Sequence, residues 1–407
     1  MAVEKSRKRV ANGRSGLKRV CVVQPFLSHY SLPVFVELAQ RCQIDLLYSA
    51  APPDSGFGQV IPPCAPNIEC FPMNAFKPFG DRLGIFHRGL LKYILRRKPD
   101  VLFLSADMRN LSFWVAVLCG RLLGVPTYAH GHGPFKKKKI GAAYRSAMRI
   151  LLRLVTSYIC YAPAVRRSFV DFGFDDRKLS VAHNSMVNPF PVRPGEKTGS
   201  EMGILFIGRL RPDSHLQWLI GAMARIRKSD GLPLRLHVIG TGREEAHLRE
   251  QAGKHPWVML HGEVYDAQNI HEISLDCFLG CYPGNAGLSV VHMMSLSLPV
   301  VTHDDLHAHG PEPSFVREGI SGLLYDHTDS EQSLYEAVKS LACERETVKQ
   351  MQANAFNDYQ SLVRPSLAER LWAILGGGEQ VSGAARVSER ISKAADLSSS
   401  LHIGGGR

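Results

Sequence analysis

The chain has no apolar run long enough to cross a bilayer. Spanning needs about 20 consecutive apolar residues, and the longest candidate, residues 113–125, is broken by Arg121. The reading is therefore a chain that does not span a membrane. Paired cysteines are also missing: the nine cysteines are an odd number, scattered mostly inside apolar stretches, and none has the spacing of a zinc site. Cys277 and Cys281, four apart on an expected strand, fit one poorly, so reduced core cysteines are expected rather than a disulfide framework. The basic residues of the first twenty positions, Lys5, Arg7, Lys8, Arg9, Arg14, Lys18 and Arg19, have no apolar core behind them, which argues against a secretory signal. Residues 1–18 read as a basic, flexible N-terminus, and the expected location is cytoplasmic. Acidic excess is absent too. A net charge of +12 instead suggests an anionic partner: a diphosphate, anionic lipid or nucleic acid.

What remains is ordinary globular material, 45% hydrophobic and 21% charged, with no internal repeat. At 407 residues it exceeds the size of one hydrophobic core, so two domains are expected. From residue 19 short apolar runs alternate with longer helical ones: 20–23, 33–40, 44–48, 101–105 and 126–130. A second series follows at 203–208, 216–228, 234–240, 258–261, 277–281 and 299–303. Alternation of this kind predicts βα units around parallel sheets, giving an α/β fold with two Rossmann-like domains facing each other across a cleft. The expected division is a first domain over 19–188, a linker over 189–200 rich in Pro and Gly, a second domain over 201–362, a terminal helical segment over 363–376, and a disordered tail over 377–407. Pro365 before the last helix and Gly376 to Gly378 after it are its start and stop signals.

The most informative segment runs Tyr282-Pro283-Gly284-Asn285-Ala286-Gly287-Leu288-Ser289, continues through His292 and closes on Leu298-Pro299-Val300-Val301. A glycine-rich turn opening into a short helix directs backbone N–H groups outward, where a phosphate fits. Before it come Gly208-Arg209-Leu210 and Ile239-Gly240-Thr241-Gly242, and after it Gly310-Pro311-Glu312 and Gly319-Ile320-Ser321-Gly322-Leu323-Leu324. In this order the segments resemble the donor-binding half of the family 4 (group 1) glycosyltransferases of the GT-B fold. Counting back from Gly287 and Leu288, the family's two glutamates fall on Gly284 and His292, so both members of the acidic pair are replaced. The lysine that the family carries five residues after its arginine falls on Ser214.

The resemblance implies a nucleotide-diphosphate sugar as donor, a retaining and metal-independent transfer to an acceptor hydroxyl, and no cofactor. Arg209 is then the diphosphate ligand, suited to phosphate by its planar fork. Gly208, Gly240, Gly242, Asn285, Gly287, Leu288, His292 and Glu312 complete the donor side. In Val125-Pro126-Thr127-Tyr128-Ala129-His130-Gly131-His132, the family's strand-end histidine falls on His132, which joins Arg209 as the catalytic pair. His29 and Tyr30, after the first strand, are read as acceptor-side. His303, His307 and His309 crowd one loop, but without a carboxylate set they are read as solvated rather than as metal ligands.

Two segments read as basic amphipathic helices. One has Lys136 to Lys139 ahead of Arg145, Arg149 and Arg153, the other Arg88, Lys92 and Arg96 beside Phe86, Leu91, Ile94 and Leu95. They suggest an anionic membrane surface, peripheral at the inner face of the cytoplasmic membrane, and a lipid-linked or polysaccharide acceptor. Nucleic acid is not expected, since no reading module accompanies the charge. Two other readings of the architecture stay open: a nucleotide-sugar epimerase, and a non-catalytic GT-B binding protein favoured by the losses at Gly284, Ser214 and His292.

Overall fold

The computed structural model describes residues 17–50, 60–76, 86–197 and 200–376. The expected N-terminal and C-terminal tails, residues 1–16 and 377–407, lie outside the described residues.

Two parallel sheets form the frame. The first comprises β1 (Arg19–Phe26), β2 (Gln43–Ser49), β3 (Ile68–Pro72), β4 (Val101–Ser105), β5 (Thr127–Gly131), β6 (Ser157–Cys160) and β7 (Leu179–Val181), in the spatial order 7-6-5-4-1-2-3. The second comprises β8 (Gly203–Ile207), β9 (Arg235–Ile239), β10 (Val258–Gly262), β11 (Cys277–Cys281), β12 (Val300–His303) and β13 (Gly322–Tyr325), in the order 10-9-8-11-12-13. In both sheets the order reverses beside the first strand, so a crevice opens at the carboxyl ends of the strands, where open α/β sheets bind ligands.

The strands read as continuous apolar runs because both faces are covered. On β1, Cys21 and Val23 join a cluster with Leu90, Ile94, Phe113, Met148 and Leu151. Val20 and Val22 point the other way, among Phe35, Leu38, Leu367 and Leu371. One face therefore packs α2 (Leu90–Arg97), α3 (Leu111–Leu123), α4 (Ala142–Leu154) and α5 (Pro163–Asp171), and the other packs α1 (Leu32–Leu38). In the second domain α6 (Leu216–Ser229), α7 (Glu245–Lys254), α8 (Ala267–Leu275), α9 (Ser289–Ser295), α10 (Ser330–Cys343) and α11 (Arg345–Val363) flank the sheet.

The last helix, α12 (Leu367–Leu375), packs on α1 of the first domain, burying Leu367, Ala368, Leu371 and Leu375 there. Ser366 is its N-cap: the Ser366 hydroxyl accepts from the Glu369 N–H, and the Glu369 carboxylate accepts from the Ser366 N–H. Lys18 Nζ donates to the carbonyls of Leu375 and Gly376, and Arg41 pairs with Glu369 at 3.0 Å. The chain thus crosses between domains twice. The nine cysteines are all unpaired; Cys21, Cys42, Cys160, Cys277 and Cys281 are buried.

Lys136 to Lys139 lie in the turn after β5, ahead of α4, which begins at Ala142. Gly141 is its extended N-cap residue, so the helix starts where the lysines have ended.

Candidate active site

The expected site residues come from loops at the carboxyl edges of the two sheets. Gly208 and Arg209 follow β8, Gly240 and Gly242 follow β9, Tyr282 to Leu288 follow β11, and Glu312 lies beyond β12. From the first domain, His29 and Tyr30 follow β1, His132 follows β5 and Tyr161 follows β6.

Arg209 is half-buried. Burial and the adjacent Arg211 push its pKa down, while Tyr30 of the first domain, Tyr282 and Asp213 lie near enough to push it up. The guanidinium stays charged at any physiological pH. Gly240 and Gly242 position this loop through backbone alone. A Cβ on Gly240, where φ is +137°, would lie 1.9 Å from the Gly208 carbonyl oxygen. Hydrogen bonds from Gly208 N to Ile239 O and from Leu210 N to Thr241 O, both 2.9 Å, fasten the two loops together.

The turn after β11 has two anchors. The first is the segment at Asp213: Asn285 N donates to the Asp213 carbonyl at 2.8 Å, and Asn285 Nδ2 to its carboxylate at 3.1 Å. Asn285, expected on the donor, therefore directs its amide to Asp213. A Cβ on Gly284 would sit 2.0 Å from the Asp213 carbonyl oxygen and 2.8 Å from the Ser214 carbonyl carbon. Ser214 is itself buried, its hydroxyl donating to the Arg211 carbonyl at 2.6 Å. Positions 284 and 214 are thus coupled: backbone at 213–214 fills the space that a side chain at 284 would need, and position 214 faces inward.

His309 is the second anchor. Its Nδ1 accepts from Ala286 N at 3.1 Å, so the proton sits on Nε2, which donates to the His303 carbonyl at 2.9 Å. Burial and the neighbouring His303 push its pKa down to about 4, keeping the ring neutral. With both nitrogens committed, His309 does not ligate a metal. His307 donates from Nδ1 to the Phe135 carbonyl at 2.8 Å across the domain boundary. Of the three histidines read as solvated, His307 and His309 instead hold backbone together, and His303 is a buried strand residue stacked on His309 with ring centroids 3.8 Å apart.

Gly287 faces open space, the nearest atom to an added Cβ being Glu312 Oε2 at 3.7 Å. The helix behind it, α9, starts at Ser289 and is only seven residues long. Any anion at this turn is therefore met by individual N–H groups more than by a helix dipole. His292, on α9, is half-buried with its pKa pushed down to about 4 by burial, so it presents a neutral imidazole where the family carries a carboxylate.

Glu312 is 3% exposed, and burial raises its pKa to about 7. Asn184 Nδ2 donates to Glu312 Oε1, joining the end of the first domain to the second. The native state holds this proton where an unfolded carboxyl, near 4.5, has lost it. Through this group alone, stability falls as pH rises from about 4.5 to 7, by on the order of 1–3 kcal/mol; histidines whose pKa burial lowers, His132, His292 and His309 among them, act in the opposite sense. Urea unfolding of wild type and Glu312→Gln at pH 5 and pH 8 checks this: the substitution should shift the change in stability from pH 5 to pH 8 in the stabilising direction, and an unchanged difference would refute the assignment.

Across the cleft, His132 is exposed to water yet surrounded by both domains. Burial, with Lys136 nearby, pushes its pKa down to about 4. Its ring meets the edge of Tyr161 at 4.7 Å, and His130 meets the same tyrosine at 4.3 Å. Tyr161, Ser105, Gln24, Ser28, Tyr30, Asn184 and His130 line a cavity of about 260 Å³ closed on one side by Leu367 and Leu371 of α12. His29 lies against Tyr265 of the second domain, ring centroids 4.8 Å apart. The sequence did not single out Tyr161, Asn184 or Asp213; their only signal was position just after a strand or inside a recognised turn.

Comparison with known proteins agrees with this geometry. Residues 34–186 match the family described as Glycosyltransferase Family 4, and residues 201–344 that described as Glycosyl transferases group 1. No curated protein matches the sequence. Among solved structures, Anabaena HepE in complex with UDP superposes with a TM-score of 0.64 at 15% identity, covering 88% of this chain and 98% of that one. A mutant of S. aureus TarM in complex with Fondaparinux, alpha-GlcNAc-glycerol and UDP gives 0.61 at 11% identity, covering 89% and 100%. A Rickettsia africae glycosyltransferase gives 0.62 at 13% identity, covering 88% and 96%. Two family matches in the expected order, on two facing Rossmann-like domains, identify the chain as a glycosyltransferase of the GT-B fold that resembles family 4.

Proposed function

We propose that the chain transfers a sugar, with retention, from a UDP-sugar to a hydroxyl of a lipid-linked or polysaccharide acceptor at an anionic membrane surface. The observation that carries the donor half is Arg209, a buried-side cation at the carboxyl end of β8 facing Tyr30 of the other domain. UDP is favoured over other nucleotides because HepE and TarM are both described with it.

In the proposed step the anomeric C1–O bond to the β-phosphate breaks, and the acceptor oxygen bonds to C1 on the same face. The acceptor proton passes to the departing phosphate oxygen. Arg209 and the N–H groups of Gly287 and Leu288 offset the negative charge that develops there, so stabilisation is electrostatic and already in place. Neutral His132 and His292 are positioned to hydrogen-bond hydroxyls without drawing the phosphate away. The cavity beside Tyr161 and His130 is the acceptor's place in this reading.

The membrane half rests on one face of the first domain. The helices α2, α3 and α4 pack side by side and contain no carboxylate. They expose Leu91, Leu95, Leu118, Leu122, Leu123 and Ile150 beside Lys92, Arg96, Arg121, Arg149 and Arg153. Leu122 is 84% exposed. Apolar residues ringed by cations match the interface of an anionic bilayer, at about 1 kcal/mol per basic residue near the surface. Among the described residues no helix is long and apolar enough to cross a membrane. A Lys92→Glu/Leu122→Glu variant should sediment with phosphatidylglycerol vesicles at least tenfold more weakly than wild type; equal sedimentation would remove the membrane from the proposal.

Turnover is tested by incubating the protein with UDP-glucose, UDP-galactose and UDP-N-acetylglucosamine and a lipid-extract acceptor. Following the anomeric signals by NMR should reveal an α-linked product from an α-linked donor. A β-linked product would contradict retention. Isomerised donor without acceptor would favour an epimerase, a reading to which the comparisons lend no support.

A further inference from the structure

We propose that Lys136, from the first domain, is a ligand of the donor diphosphate, closing the phosphate site from the side opposite Arg209. The inference rests on the nucleotide-sugar reading above and adds a residue from the other domain to it.

Lys136 lies in the turn that leaves β5, four residues after His132. Glu312, Arg211 and Asp213 of the second domain act on its charge, and it in turn acts on His132 and His309. Four of these five neighbours belong to the second domain, and one of them, His309, anchors the turn at Ala286. Among the described residues it has no ion-pair or hydrogen-bond partner, whereas the other charges around it are engaged. Arg211, the nearest alternative cation, is 3.2 Å from the Asp213 carboxylate and donates from Nη2 to the Asn285 carbonyl at 3.3 Å. Its role is to brace the 283–285 turn, which leaves Lys136 as the cation available to an anion from the first-domain side.

The turn carrying Lys136 is held from both sides. Phe135 accepts from His307 through its carbonyl, and Lys138 Nζ pairs with Asp305 at 2.9 Å. The lysine thus stands between two points docked on the second domain, so little ordering is needed when an anion arrives. An ammonium is a compact point charge with three donors, able to meet oxygens of either phosphate. Lys136 is exposed, yet the protein around it still disfavours the unpaired cation, and a diphosphate relieves that penalty.

The test is calorimetric titration of the full-length protein with UDP, GDP, ADP and dTDP, then with the nucleoside of the tightest binder. Lys136→Ala should weaken the diphosphate by about tenfold to a hundredfold, the range of a hydrogen bond to a charged group, and the nucleoside by less than twofold. Lys136→Arg should recover most of the loss. Lys137→Ala, which removes an ammonium resting 4.9 Å from the Tyr144 ring, should change neither. Wild-type binding that Lys136→Ala leaves intact overturns the proposal while sparing the donor reading. An equal loss in Lys138→Ala also overturns it, by tracing the effect to docking of the turn. No binding of any nucleotide by wild type overturns the donor reading and this proposal with it.

Discussion

Arg209→Ala is expected to lower kcat/KM by about a hundredfold or more while leaving the melting temperature nearly unchanged. The side chain is half-buried at a strand end, and backbone contacts to the 240–242 turn fix the loop that carries it. Removing a charged, forked donor forfeits on the order of 3 kcal/mol of transition-state stabilisation, since the charge it faces is greatest as the diphosphate departs. Arg209→Lys should recover only part of this, because an ammonium does not reproduce the planar fork. The check is steady-state kinetics of the three proteins with the preferred donor. Undiminished turnover by the alanine variant would remove Arg209 from the phosphate site.

Restoring the family's carboxylate at position 284 should damage the protein. The resemblance alone suggests that Gly284→Glu returns a lost sugar contact. The structure predicts the opposite, because even a methyl group there meets the Asp213 carbonyl oxygen at 2.0 Å. Backbone atoms cannot rotate away as side chains do. Gly284→Ala is therefore expected to cost about 3 kcal/mol or more. In a domain of this size that lowers melting by roughly 6–12 °C. Arg209 should lose donor affinity at the same time, since the displaced 213–214 segment is continuous with its loop. Differential scanning calorimetry of Gly284→Ala decides: an unchanged transition would mean that the close approach is not a packing constraint.

Much of the fold was legible because the inner strands announce themselves as short apolar runs buried on both faces, several of them ending in a glycine turn; the part-buried edge strands β3 and β7 carry no such signal. Alternate residues of β1 entering two separate clusters are the physical form of that signal. Arg209 was legible for a related reason, standing inside the turn that the strand pattern marks. The rest of the site is assembled from distant positions. Asn184 meets Glu312 across 128 residues of chain, and Lys138 meets Asp305 across 167. No local pattern encodes such pairs. The helix carrying Arg145, Arg149 and Arg153 was legible from their four-residue spacing, and Gly141 sets its start after the lysine run. His309 read as a solvated loop residue because nothing in its neighbourhood signals that Ala286 lies beneath it. Gly284 and Ser214 read as two separate losses, whereas their carbon atoms share one contact.

The central claim is that the cleft between the two sheets holds a nucleoside diphosphate by Arg209 and the 286–288 turn. It is tested most directly by a crystal structure of the protein with the nucleotide that binds it tightest. The account predicts both phosphates between these groups, with at least one phosphate oxygen within hydrogen-bond distance, about 2.7–3.2 Å, of the Arg209 guanidinium. Well-defined nucleotide bound away from Arg209, or phosphates turned toward the sheet edge at β10, would contradict it.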